Sequence, residues 1–321
     1  MLNKLLVVCG PTAVGKTGAA LDLAKLINGE MISADSRQVY KDMDIGTGKD
    51  IPESAKYKKH KKLKGYYGTG DTRIWGCDLV SPKEEYSAAD YSKIARKIIK
   101  DVWKREKTPI LVGGTGFYIS SVVDGINTAG VPKNDSLRES LEKLSIDELF
   151  EKLALLDAVK AASLNSSDKN NSRRLVRAIE VAQWELTNKG ESKKSIEFNK
   201  NYKLLFIGLT TSRKRLEKLI SKRVDKRIDG GMVDEINKLL QQGVNWDDQS
   251  MNALGYRQLR GYIEGKESLS DAVKNWKKEE FKYSKRQTTW FAKDKRIKWF
   301  EVDKGDYPEN MEKCVLKWYK E

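Results

Sequence analysis

Gly10-Pro11-Thr12-Ala13-Val14-Gly15-Lys16-Thr17 is the stretch whose reading decides the fold. It fits G-x-x-x-x-G-K-[ST] without a gap, the pattern whose backbone amides cradle phosphate oxygens. Ahead of it runs Leu5-Leu6-Val7-Val8-Cys9, short and wholly apolar, as expected of a strand buried on both faces. Behind it comes Gly18–Leu26, rich in helix formers, with Leu21 and Ala24 supplying an inward face. Strand, glycine loop and helix are the context this motif needs. Loop amides and helix N-terminus together make an anion cradle. Lys16 adds a positive charge on a terminal phosphate and the Thr17 hydroxyl a ligand for magnesium. A bare glycine turn is the alternative, and the full match in context speaks against it. The loop is expected to hold a diphosphate or a triphosphate.

Working outward, four more segments read as strands of the same sheet: Glu30–Ala34, Pro109–Val112, Leu204–Leu209 and Ile297–Val302. Helical stretches alternate with them, which predicts an α/β fold, a P-loop NTPase-like parallel sheet core. Ligands of such sheets gather beyond the carboxyl ends of the strands. That rule groups three loops: Gly10–Thr17, Asp35-Ser36-Arg37-Gln38 and Gly113-Gly114-Thr115-Gly116. The middle of the chain has no convincing strand and carries amphipathic helices at Asp135–Leu144, Ile146–Leu156 and Ser172–Leu186. A polar stretch, Lys189–Asn201, closes it. Residues 1–121 and 203–321 are therefore expected to form the core, and 122–202 a helical insertion.

The length of 321 residues suits two domains. No apolar run approaches the roughly 18 residues of a membrane span. The apolar start runs straight into the phosphate loop and reads as core strand rather than signal peptide, so a cytoplasmic protein is expected. Cys9, Cys77 and Cys314 lack C-x-x-C spacing and suit a reducing compartment. With His60 as the single histidine, neither a histidine-based metal site nor a Ser-His triad can be built. The net charge of +15 points to a polyanionic partner, nucleic acid first, against the plainer reading of a solvated lysine-rich surface.

Asp35 ends a strand. Its carboxylate is placed to accept a proton, to bind magnesium as a Walker-B aspartate does, or to cap the next segment. Its sheet neighbour is expected to be the phosphate loop. Gly113–Gly116 is either a ligand-approaching loop or a tight turn. Arg223 and Arg227 lie four apart beside an apolar stripe of Leu216, Ile220, Val224 and Ile228. They either clamp a diphosphate or sit on a solvated face paired with Glu217, Asp225 or Asp229. Lys274–Lys298 mixes ten basic residues with Trp276, Phe281, Tyr283, Trp290 and Phe291. That mixture suits base stacking, although a helix burying its aromatics has the same composition. The tract Lys56–Lys64 offers phosphate contacts or a mobile solvated loop.

Taken together, nine segments resemble one family, the tRNA dimethylallyltransferases of bacterial type. They are Gly10–Thr17, Asp35–Tyr40, Met43–Thr47, Tyr86–Asp90, Leu111–Thr115, Arg174–Ala178, Arg223–Arg227, Ala253–Arg257 and Arg286–Trp290. They fall in the family's order across nearly the whole chain. The resemblance implies a magnesium-dependent transfer of a dimethylallyl group from its diphosphate to N6 of the adenosine 3′ of the anticodon. It makes Asp35, Thr12 and Arg227 catalytic, with Asp35 the general base. Gly10, Pro11, Thr12, Ala13, Val14, Gly15, Lys16 and Thr17 cradle the diphosphate with Arg223, Thr17 facing Mg2+. Asp35, Ser36, Arg37 and Gln38 border the flipped base. Thr115, Arg138, Arg173, Arg174 and Arg177 contact the tRNA anticodon arm, and a monomer is expected.

Two departures stand out. The family's Pro-His-His before Leu-Ile-Asp is replaced by Arg73-Ile-Trp-Gly-Cys-Asp78, and no paired Cys and His of a zinc finger closes the chain. Three rivals share the loop: a small-molecule kinase or nucleotidase, an enzyme prenylating free adenine nucleotides, and an RNA-binding nucleotide switch. The helical insertion and the positive charge have no purpose in the first.

Overall fold

The computed structural model describes residues 2–70, 72–188 and 201–321. Eight strands form one sheet: β1 (Asn3–Cys9), β2 (Gly29–Ser33), β3 (Lys56–His60), β4 (Lys64–Thr69), β5 (Thr72–Trp75), β6 (Thr108–Gly113), β7 (Tyr202–Thr210) and β8 (Ile297–Glu301). Their order is β3-β4-β5-β2-β6-β1-β7-β8. From β5 to β8 all neighbours run parallel, while β3, β4 and β5 are joined antiparallel.

The apolar run of β1 is explained by its place. It pairs with β6 on one side (Val8 beside Val112) and β7 on the other (Val8 beside Ile207). Leu5, Val7 and Cys9 enter one core cluster with Ile32, Leu111 and Phe206, and Leu6 and Val8 the opposite one with Ile110, Val112 and Ile207. A period-2 strand covered on both faces must be apolar throughout.

Helices cover both faces: α1 (Lys16–Leu26), α2 (Ala88–Lys104), α3 (Gly116–Val123), and later α9 (Arg213–Asp229), α10 (Met232–Gln241), α11 (Tyr256–Ile263), α12 (Leu269–Phe291) and α13 (Glu309–Lys320). Between them lie α4 (Asp135–Leu141), α5 (Ile146–Leu156), α6 (Ala158–Ser163), α7 (Ser166–Lys169) and α8 (Ser172–Thr187). The chain divides into two compact units, Met1–Val123 with Phe198–Glu321, and Asp124–Glu197. The second has its own core of Leu141, Leu149, Leu153, Ala161, Leu175 and Ile179. Of the polar stretch Lys189–Asn201, residues 189–200 lie outside the described residues. No helix of the described residues is long and apolar enough to cross a membrane.

The structure corrects two expectations. β6 intervenes between β1 and β2, so Asp35 is not on the strand beside the phosphate loop but two strand spacings away, roughly 9–10 Å. And Lys56–Lys64 is no mobile loop: it is β3, a turn and the first residue of β4, with Leu63 buried in the core. Among the aromatics of Lys274–Lys298, Trp276 and Phe291 are core, whereas Trp290 is 46% exposed.

Candidate active site

β1 ends at Cys9, and the chain turns through the glycine loop into α1. Gly10 has φ 137°, and a Cβ there would run into the Leu209 carbonyl of β7, so only glycine lets the loop leave the sheet at this point. Thr12, Ala13, Gly15, Lys16 and Thr17 line a cleft of about 800 Å³. Val14 instead packs into the core behind α1, and Pro11 offers its carbonyl to Lys16 Nζ at 2.6 Å. Burial, and next the Arg223 guanidinium, push the Lys16 ammonium down to about 8. The Asp35 charge acts on it in the opposite sense, which ties the nest and the carboxylate electrostatically.

Thr12 is where four segments of the chain meet. Its hydroxyl accepts from Arg223 Nη1 at 2.6 Å and donates to Glu280 at 3.4 Å. Its amide donates to Gln287 Oε1 at 2.9 Å, and Gln287 Nε2 donates onward to the Gly114 carbonyl at 2.9 Å. Glu280, Tyr283 and Gln287 fall at i, i+3 and i+7 on α12, one face of the helix, and all three line the cleft with Arg286. Sequence reasoning missed Glu280 and Gln287. Their only local signal was that spacing just ahead of and within Arg286–Trp290.

The two arginines of α9 turn to the cleft rather than to a solvated face. Arg223 Nη2 donates to the Gly48 carbonyl at 3.3 Å and lies 3.4 Å from Asp50. Arg227 is buried over the Trp276 ring, 3.8 Å from Glu280, and its Nε has no hydrogen-bond partner among the described residues. Burial, with the like charge of Arg223 next, lowers it to about 10. A Cβ on Gly48 would strike both guanidiniums, and its φ of 59° is left-handed, so the Gly46–Ile51 loop needs glycine there. This loop is a second feature the sequence did not assign. It is held by Lys49, whose ammonium is buried against Asp78 and bonded to Asp44 at 2.6 Å.

Across the cleft, Asp35 Oδ1 accepts the Arg37 amide at 2.9 Å, closing a turn rather than capping a helix. Its Oδ2 has no hydrogen bond among the described residues, and the side chain lines the cleft together with Ser36, Arg37 and Gln38. The Ser36 amide donates to Thr115 Oγ1 at 3.1 Å, so Thr115 braces this turn from the loop after β6 and does not line the cleft. Gln38 accepts from Ser33 Oγ at 2.7 Å and donates to the Gly48 carbonyl at 2.9 Å. Burial, then the Asp35 charge, raises the Tyr283 phenol above its ordinary value.

In the helical unit, Arg138 makes two bonds to Glu180 at 2.8 and 2.9 Å, and Arg177 one at 2.5 Å. Burial opposes ionisation of Glu180, but bonds from Arg138, the Asn134 amide and Arg177 hold its carboxyl at about 2. These two arginines knit the unit together. Arg174 pairs with Asp168 and Arg173 is exposed. None of the four lines the cleft.

No group of three or more His, Cys, Asp or Glu side chains among the described residues could hold a metal. The cleft offers the Thr17 hydroxyl and three carboxylates, of which Asp50 and Glu280 are paired with Arg223 and Arg227, a poor cage for a fully dehydrated ion. It fits a hard divalent ion that keeps its waters and binds chiefly through diphosphate oxygens.

A glycine-loop phosphate nest on a doubly covered, mostly parallel sheet, faced by Asp35 with one carboxylate oxygen unbonded among the described residues and crowded with guanidiniums, defines a P-loop enzyme built to handle a phosphorylated donor. Comparison with known proteins gives the family. The family model described as IPP transferase matches residues 38–294, and one described as isopentenyl transferase matches residues 3–64. The tRNA dimethylallyltransferase of Anoxybacillus flavithermus is 39% identical over 94% of this chain and 91% of its own. That of Carboxydothermus hydrogenoformans is 38% identical over 98% and 97%. The solved full-length tRNA isopentenylpyrophosphate transferase of Bacillus halodurans superposes with a TM-score of 0.69 at 32% identity, covering 99% of this chain and 97% of that one. The chain belongs to the IPP transferase family, whose relatives here are tRNA dimethylallyltransferases.

Proposed function

We propose that the chain transfers a dimethylallyl group from dimethylallyl diphosphate to N6 of the adenosine 3′ of the anticodon in tRNA, releasing pyrophosphate. The observation that carries the reading is that the phosphate nest and Asp35 line one cleft, two strand spacings apart. That gap suits one flat purine with its amine toward the carboxylate.

The diphosphate lies on the amides of Gly10–Thr17, with Lys16, Arg223 and Arg227 meeting its charge. Thr17 would hold Mg2+, which would supply positive charge against the phosphate oxygens. Asp35 takes the proton from N6 as the C–N bond forms and the C–O bond to pyrophosphate breaks. An aromatic amine is a weak nucleophile, so such a base contributes roughly 10²–10⁴-fold. Fixed positive groups act where the leaving charge develops, and Thr12, locked between Arg223 and Glu280, holds that geometry. Ser36, Arg37 and Gln38 border the adenine, which must leave its stack at a cost of a few kcal/mol, less in a single-stranded loop. Residues 122–202 serve as the insertion that grips the anticodon arm, with the exposed Arg173 and the Asp168-paired Arg174 on its basic edge and Arg138 and Arg177 bracing that unit through Glu180, while Thr115 braces the turn beside Asp35. The enzyme acts as a cytoplasmic monomer.

Incubation with Mg2+, labelled donor and unmodified tRNA tests this. Label on the tRNA adenosine is expected. Label on free AMP but not tRNA supports the nucleotide-prenylating rival, and phosphate release from ATP without labelled RNA supports a kinase or switch.

A further inference from the structure

We infer that the β3–β4 hairpin is a phosphate-docking edge for the RNA, seating the strand that carries the target adenosine beside the cleft. The inference rests on the reading of tRNA as substrate. Lys56, Lys58, Lys59, Lys61, Lys62 and Lys64 put six ammonium groups in nine residues. All six are exposed, and none makes an ion pair among the described residues. Elsewhere the chain pairs its cations readily: Lys49 with two aspartates, Arg138 and Arg177 with one glutamate.

The hairpin is held firmly enough to present these charges in a fixed array. Leu63 is buried in the core, Tyr57 packs edge-on to Tyr67 at 5.2 Å, and His60 meets Trp75 at 5.6 Å. Holding like charges together in an ordered strand costs self-repulsion, which a polyanion relieves.

Register fixes where the turn points. Tyr66 opposes Trp75, and Trp75 lies beside Ile32 of β2. Two residues further along each strand, Lys64 and its partner His60 come level with Ala34, so Lys61 and Lys62 stand at the height of Asp35. β4 is two strand spacings from β2, roughly 10 Å to the side, and Ile74 of the intervening β5 and Cys77 just after it line the cleft. An RNA placing one base beside Asp35 must carry its neighbouring phosphates past this edge. An acidic protein partner or a membrane has no such reason to approach the mouth of this cleft. The competing role is protection of an edge strand, which lysines also provide.

The test compares full-length wild-type protein with the triple variants Lys59→Gln/Lys61→Gln/Lys62→Gln and Lys59→Arg/Lys61→Arg/Lys62→Arg, binding unmodified tRNA across a salt series. For the Gln variant the slope of log K against log salt should be shallower by about 2, from roughly 0.7 per lost contact to a single strand. Affinity should fall about tenfold at moderate salt, with kcat at saturating tRNA and KM for dimethylallyl diphosphate unchanged. The Arg variant should bind as wild type does. An unchanged slope in the Gln variant overturns the inference, as does equal loss in both variants. Self-association of the Gln variant with unaltered tRNA affinity assigns the lysines to edge protection instead. If wild-type protein prenylates tRNA and the slope is unchanged, only this inference fails; if it prenylates no tRNA, the substrate reading fails first.

Discussion

Lys16 is poised to respond to pH. Burial and Arg223 hold its ammonium down near 8, well below an ordinary lysine. Below about pH 8 the free protein carries the charge that a diphosphate needs. Above it, binding must draw a proton, so donor affinity should fall by up to tenfold per pH unit as pH rises. Calorimetry in buffers of different ionisation heat should show proton uptake on donor binding near pH 8.5; binding that is flat from pH 7 to 9 contradicts it. Gly48 offers a second residue-scale prediction. Gly48→Ala adds a methyl against both guanidiniums in a left-handed backbone. KM for the donor should rise at least tenfold, and the left-handed alanine, at about 1–2 kcal/mol, should lower the melting temperature by a few degrees. Neither effect could be read from the sequence. The glycine loop was legible because phosphate chemistry fixes residue types at fixed spacing, but Gly48 matters only through two side chains 175 and 179 positions away.

Among the elements, most strands that could be read were those whose burial leaves one composition possible, β8 being read as well although only Ile297 of it is buried. β1, β2, β6 and β7 are apolar runs because helices cover both faces. β3 and β4 escaped because an edge hairpin needs no apolar alternation, and Lys-Tyr-Lys-Lys-His reads as solvated chain. The intervening place of β6 was equally hidden, since chain order does not state sheet order. α12 acts as a strut across the sheet: through Gln287 it ties the phosphate loop to the loop after β6. Gln287→Ala leaves a buried amide and carbonyl unpaired, and about 1–3 kcal/mol of stability should be lost in urea unfolding. The same change should raise the donor KM, because the Thr12 amide loses its anchor. In β1, Leu6→Ala should cost about 2–5 kcal/mol, since the side chain is wholly buried in a packed sheet.

The molecule as a whole separates its tasks. One unit carries the nest, the carboxylate and the lysine hairpin; the other, Asp124–Glu197, is a small helical body around its own core. Two of the four arginines that the resemblance assigns there to RNA, Arg138 and Arg177, pair with the buried Glu180, a structural role that the sequence did not disclose. The central claim is that Asp35 acts on the amine while the nest independently holds the donor. Single-turnover transfer from labelled dimethylallyl diphosphate to tRNA by Asp35→Asn tests it most directly. Donor and tRNA dissociation constants should stay within about threefold of wild type while the chemical step slows by roughly 10²–10⁴-fold. Collapse of donor affinity, or transfer at the wild-type rate, would contradict the account.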